Sequence, residues 1–249
     1  MQTSSGDARR VDAFLALLLA TDLLFIIAHV IFMVMHLVVW DTPGLLDEIQ
    51  SDFSIVKERG FAETFQYIKA FWLVLMFVWL AVKGREPGFL AWALGFLYLG
   101  IDDLMEIHEE FGNSLALRYG FPEILGQRPR DVGEVTVLAI AGLILLALVG
   151  IAYLMGSERF RQASRSLLGL VAVFAVFGMG FDALHIVFLH RSPGALFGLI
   201  EDGGELIVLS LIVWFVWRLA TTPQALDDQP GELAPVAVPA RHRRQRARR

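Results

Sequence analysis

The 249-residue chain contains no cysteine. That absence excludes disulfides, thiolate metal sites, iron–sulfur clusters and a cysteine nucleophile together. Charge is sparse as well, at 19% of residues, and long polar stretches are confined to the chain's last part. A Gly-x-Ser-x-Gly nucleophile elbow and a phosphate-binding glycine loop are both missing. So is the His-Glu-x-x-His zinc-protease motif: His108-Glu109 begins like it, but Gly112 stands where the second histidine belongs.

What the chain has in abundance is apolar sequence, 56% of residues, with a mean hydropathy of +0.58. Runs near the ~20 residues needed to cross a bilayer recur at 11–40, 62–82, 88–110, 134–155, 167–190 and 200–220. The expected fold is therefore an all-α membrane protein with six transmembrane helices in one bundle. Arg9-Arg10 precede the first run, which is too long for a signal-peptide core and reads as an uncleaved span. The chain divides into a cytoplasmic segment 1–10, a membrane domain 11–221 and an Arg-rich tail 222–249. The tail's composition cannot build a core. Within the domain, segment 41–62 carries Leu45, Leu46, Ile49, Phe53 and Val56 at helical spacing, which predicts an amphipathic interfacial helix.

Six spans place fourteen Lys and Arg residues on the side of the termini, six of them in the tail, against six on the other side. That asymmetry puts the N- and C-termini in the cytoplasm, and a bacterial inner membrane is the expected location. The tail arginines are expected to attract anionic lipid, with no nucleic acid as partner.

The polar residues fall in one layer on the opposite side. Asp102, Asp103, Glu106, Glu109 and Glu110 close the third span, and Glu63 opens the second. His36 ends the first, Glu134 opens the fourth, Asp182 and His185 sit late in the fifth, and Glu205 opens the sixth. On a continuous helix the five acids of the third span lie within about 120° of one another, and His108 points away. Gly100-Ile-Asp102 is echoed by Gly180-Phe-Asp182, and Asp131-Val-Gly-Glu134 by Asp202-Gly-Gly-Glu205. The echo predicts helical hairpins, three if the first two spans are counted.

Carboxylates inside a bilayer need protonation, water or a cation. Lys69 is the one basic residue well inside a span, so cations within the spans are too few to pair them. Several carboxylates with imidazole on different helices suit one or two ions of Fe, Mn or Zn. Asp102, Glu106, Glu134, Asp182, His185, Glu205 and Glu63 are the candidate ligands, with Glu109 or His36 as proton donor or acceptor. The leading expectation is an outward-facing metal site, catalysing oxidation or hydrolysis of a lipid-soluble substrate. A cation or proton-coupled transporter is the alternative. Polar residues thin out toward the cytoplasm, where Asp22 and Lys69 are the main candidates for an inner path. A non-catalytic membrane subunit is the third reading.

The stretch Gly100-Ile-Asp-Asp-Leu-Met-Glu-Ile-His-Glu-Glu110, with Ile200-Glu-Asp-Gly-Gly-Glu-Leu206, resembles uncharacterised bacterial integral membrane proteins. Those carry an Asp-Asp/Glu…His-Glu span followed by a glutamate-rich last helix. The resemblance covers the third and sixth spans and implies a polytopic membrane fold without an established activity.

Overall fold

The computed structural model describes residues 4–38, 52–124, 126–180 and 194–221, with side chains omitted at 4–11, 36–38, 179–180 and 194–196. The described residues form seven α-helices: α1 (Ser4–Val38), α2 (Phe61–Lys83), α3 (Phe89–Met105), α4 (Ile107–Tyr119), α5 (Pro129–Met155), α6 (Glu158–Ala175) and α7 (Gly194–Thr221). A π-helical turn, Val176–Gly180, continues α6. Among the described residues the only β-type pairing is an isolated bridge between Ile124 and Gln127. The fold is all-helical.

Among the described residues four helices are long and apolar enough to cross a membrane, over Asp12–Met35, Phe61–Lys83, Pro129–Met155 and Glu158–Gly178. Six were expected. The third expected span, 88–110, is interrupted: Glu106 adopts a left-handed conformation (φ 53°, ψ 36°) and ends α3 after 17 residues. At 1.5 Å per residue such a helix reaches about 25 Å, short of a ~30 Å hydrocarbon core. The sixth, α7, is the central helix, enclosed by α1, α2 and α6. The expected amphipathic helix over 41–62 lies outside the described residues as far as 51. Its described end, after Asp52, is a series of turns closed by Lys57 N–H to Ser54 O and Gly60 N–H to Lys57 O. The tail 222–249 lies outside them entirely.

Packing follows the expected hairpins in part. The second is met by α4 lying along α5, and the third by α6 and its π turn against α7. The first is replaced by another arrangement, because α1 packs chiefly on α7, and α2 on α3 and α7. Glycine sets the tightest crossing. A Cβ at Gly133 would lie 2.1 Å from Gly112 O, and one at Gly112 would lie 2.5 Å from Glu134 N. Only hydrogens fit between these two backbones.

The bundle has two unlike ends. The half nearest the 84–88 and 156–157 connections is filled with aromatic rings: Phe77, fully buried, stacks on Phe89, Trp92 and Phe96, and Phe160 meets Phe89 edge-on at 5.0 Å. Trp92 Nε1 donates to Ser164 Oγ (3.0 Å), so the indole's one polar atom is satisfied. Lys83, Arg85, Arg159, Arg161, Arg165 and Arg218 ring this basic end. Arg161 Nε donates to the Tyr153 carbonyl at the end of α5, and Arg159 to the Leu219 carbonyl at the end of α7. Both guanidinium groups satisfy orphan carbonyls and meet the negative pole of a helix.

Midway, the two ends are joined by a buried ion pair. Lys69 Nζ and Asp22 Oδ1 stand 3.2 Å apart, both side chains wholly inaccessible. Lys69 also donates to Leu206 O (2.7 Å) and Ser210 Oγ (3.2 Å), which uses all three of its N–H bonds. One ammonium thus fixes the depth of α1 and α7 against α2. Removing one member of such a pair strands the other, at a cost of about 3–5 kcal/mol. Lys69→Met should therefore lower the melting temperature in detergent sharply, and Asp22→Asn added to it should recover most of the loss. Additive losses in the double variant would show that the two side chains are uncoupled.

Candidate functional site: the acidic end

The break at Glu106 organises the acidic end. Left-handed backbone at a glutamate costs free energy, so surrounding contacts must hold it. Asp102, 3% exposed, ends α3 and receives the Tyr98 hydroxyl on Oδ1 (3.2 Å) and His108 Nδ1 on Oδ2 (2.9 Å). Six residues along a straight helix would turn His108 away from Asp102, as the helical phase predicts. The reversed dihedrals at Glu106 redirect α4 and swing the imidazole back onto the carboxylate. His108 is a direct partner of Asp102.

The cations missing from the expected spans come from the turn before α2 and from the start of α5. Arg59, itself left-handed (φ 60°), binds Glu106 Oε1 through its guanidinium (2.6 Å) and Glu63 through its backbone N–H. Glu63 also accepts the hydroxyl of Tyr67, one turn along α2. Arg130 lies between Glu134 (2.6 Å) and Glu109, its Nη2 contacting the latter. Arg128 holds Asp131 at 2.8 Å and caps α5. Glu106, Glu109 and Glu134 are therefore each paired with an arginine. Around Arg130 lies an open cleft of about 230 Å³, lined by Met105, Glu106, Glu109, Glu110, Asn113 and Arg130. Burial raises the Glu109 carboxyl above its ordinary value, with Arg130 pulling the other way and Glu134 adding to the rise.

A second set of acids has no such arginine among the described residues. Asp103 on α3 and Asp202 and Glu205 on α7 all lie within Coulombic reach of Glu63 and of one another. Asp103, Asp202 and Glu205 form no ion pair among the described residues. The π turn presses against this set. A Cβ at Gly178 would fall 2.0 Å from Glu205 Oε1, and one at Gly204 would fall 2.1 Å from Phe177 Cδ1. The carboxylate of Glu205 thus sits where only a glycine leaves room.

Among the described residues no three His, Asp or Glu side chains are disposed to hold one metal ion. The acids feel each other's charge without converging on a point. Of the expected ligands, Glu63, Asp102, Glu106, Glu134 and Glu205 lie at this end, while Asp182 and His185 lie outside the described residues. The His36 backbone is part of α1, and its side chain lies outside them too. The sequence pattern overlooked Arg59, Tyr67, Tyr98 and Gly178. The tyrosines had a readable signal, since each stands four residues from its acid on one helix face. Arg59 and Gly178 act across the bundle, where local spacing carries no information.

Fold and site together define a multi-helix protein with four membrane-length apolar helices and a carboxylate-rich end. A family model described as a domain of unknown function, DUF8692, matches residues 17–220, and the chain belongs to that family. No curated protein and no solved structure matches it.

Arg130 gives the acidic end a pH signature. Glu109 titrates above its unfolded value, so its contribution to stability is complete at low pH and is lost as pH rises through the folded value. Replacing Arg130 with Gln removes the opposing cation and enlarges that loss. The variant's melting temperature should fall below that of the wild type at about pH 7, with the gap narrowing toward about pH 4. A gap that does not change with pH would assign Arg130 a packing role alone.

Proposed function

We propose that this protein is integral to a bacterial inner membrane, with its basic end in the cytoplasm, and that its outward carboxylate cluster binds a divalent cation used in catalysis on a lipid-soluble substrate. The carrying observation is the mutual reach of Glu63, Asp103, Asp202 and Glu205, none of which has an ion-pair partner among the described residues. Like charges gathered in an apolar bundle repel, and a bound cation relieves the repulsion at once. Carboxylate oxygens alone favour Mg, Ca or Mn, and the histidines His36 and His185 would extend the preference to Fe, Mn or Zn. Glu106, Glu109 and Glu134 bind arginine instead, so Glu106 and Glu109 line the cleft and Glu134 holds its Arg130 in place. The outward exposure of α5, at residues such as Leu143, Ile144, Leu146 and Leu154, fits lipid contact. It would give an apolar substrate lateral access.

Protein purified without chelator should carry about one or two divalent ions per chain by elemental analysis. Asp202→Asn with Glu205→Gln should lose most of the metal. Chelation should lower the wild-type melting temperature by linkage, because ligand binds only the folded state. Folded protein that holds no divalent ion and melts identically with and without chelator would overturn the cation site.

A further inference from the structure

The seam between α1 and α7 holds a line of polar groups that the carboxylate cluster does not explain. The two helices run antiparallel: Phe14 meets Trp217 at 5.1 Å, Asp22 meets Ser210 beside Lys69, and Ile26 faces Gly203. Along α7 polar atoms recur every four residues, with the Asp202 carboxylate, the Leu206 carbonyl, the Ser210 hydroxyl, the Trp214 indole and the Arg218 guanidinium. An α-helix turns once in about 3.6 residues, so each of these positions neighbours the next along one ridge, which winds around α7 from the acidic end to the basic end. Arg218 lies 5.9 Å from the Trp214 ring and completes the ridge. Opposite it on α1 stand Asp22 and His29, seven residues apart and on one face.

Three buried side-chain atoms in the described protein have no hydrogen-bond partner: Asp22 Oδ2, His29 Nε2 and Trp214 Nε1. The first two share one face of α1, and the third lies on the α7 ridge one turn beyond Ser210. Asp22 is fully buried and His29 is 8% exposed, with its other nitrogen, Nδ1, at 3.2 Å from Ser54 Oγ. Buried polar groups left in this way are the usual hosts of internal water, which makes two to four bonds to such atoms. Ionisable groups at membrane depth mark ion and proton routes more often than they serve packing.

We propose that the α1–α7 seam is a proton path joining the outward carboxylate cluster to the basic end, with the Asp22–Lys69 pair as its protonatable midpoint. Internal water bridges Asp202 and His29 to Asp22, and Asp22 to the Trp214 level. A proton enters from a carboxyl of the cluster, passes through water to Asp22 Oδ2, and leaves to water on the far side. Each hop breaks one O–H bond and makes another, and no oxidant, reductant or other co-reactant takes part. While Asp22 holds the proton, Lys69 keeps its bonds to Leu206 O and Ser210, so the helices stay in register. The groups facing Asp22 are Lys69 from α2 and Ser210 from α7, and those facing Lys69 are Asp22, Ser210, the Leu206 carbonyl and the Phe65 ring. No other charged group contacts the pair among the described residues. Such a route is the element that a proton-coupled transporter needs, and it runs through α1, α2 and α7 rather than through the apolar halves of α3 and α6.

The inference rests on the membrane-spanning reading and not on the cation site. Full-length protein in liposomes loaded with a pH-sensitive dye tests it under an imposed potassium-diffusion potential. Wild type should move protons at least tenfold faster than empty liposomes. Asp22→Asn combined with Lys69→Met removes the protonatable pair as a unit and should fall to the empty-liposome rate. The double variant's melting temperature shows that it folds, and Ser210→Ala gives a second, milder variant with an intermediate rate. Wild-type flux equal to that of empty liposomes, or a folded double variant as fast as wild type, overturns the path. Flotation of the same liposomes separates the two readings, since a chain left in the aqueous fraction overturns membrane insertion itself.

Discussion

Everything at the acidic end depends on where one ammonium sits. Inside a bilayer helices gain little from burying apolar faces against one another, because lipid is as apolar as leucine. Relative depth must come from shape and from polar contacts. Lys69 supplies three of these to two helices that are 47 and about 140 residues away in sequence. With α1, α2 and α7 locked at that level, Glu63 on α2 and Asp202 and Glu205 on α7 have no freedom to slide apart. The repulsion among them is thus held in place by an attraction two turns deeper in the bundle.

The second organising event is the left-handed glutamate between α3 and α4. A straight helix would have carried five acids into one stripe on a single face. The break distributes them: Asp102 turns to Tyr98 and His108, Asp103 joins Glu63, and Glu106 and Glu109 go to arginines. An acidic motif that looks like a single ligand set is thus divided, with Asp102, Glu106 and Glu109 each paired and Asp103 turned toward other carboxylates. Glycine allows the division, since the Gly112–Gly133 crossing brings Glu109 and Glu134 to the same guanidinium.

The amino-acid pattern made the helical class, the polar layer and the two unlike ends legible, because each rests on composition and on 3.6-residue periodicity. It located α2 to within a residue at each end and the C-terminal ends of α5 and α7 as closely, while both of these helices begin earlier than expected. What periodicity could not carry was the change of phase at Glu106, which no glycine or proline announces, and so His108 was turned the wrong way. Pairing across the bundle was equally hidden. Counting basic residues overlooked Arg59, which reaches in from a turn, and it set Lys69 and Asp22 on the same inner side without pairing them. The hairpin echo between Asp131-Val-Gly-Glu134 and Asp202-Gly-Gly-Glu205 was real as a pattern. It stands for two different environments, one bound to arginine and the other facing carboxylates.

The glycine crossing also bears on how cooperatively the chain holds together. α4 and α5 meet each other closely, while α5 touches α3 and α6 only lightly and turns most of its length outward. A pair of helices joined to its neighbours by one left-handed residue and a few side chains has its own local free energy of opening, distinct from that of the core around Phe77. Among the described residues α1, α2, α3, α6 and α7 thus form one closely packed group, to which α4 and α5 attach more lightly as a pair. Amide exchange faster along α4 and α5 than along α2 and α7 would report such separate opening.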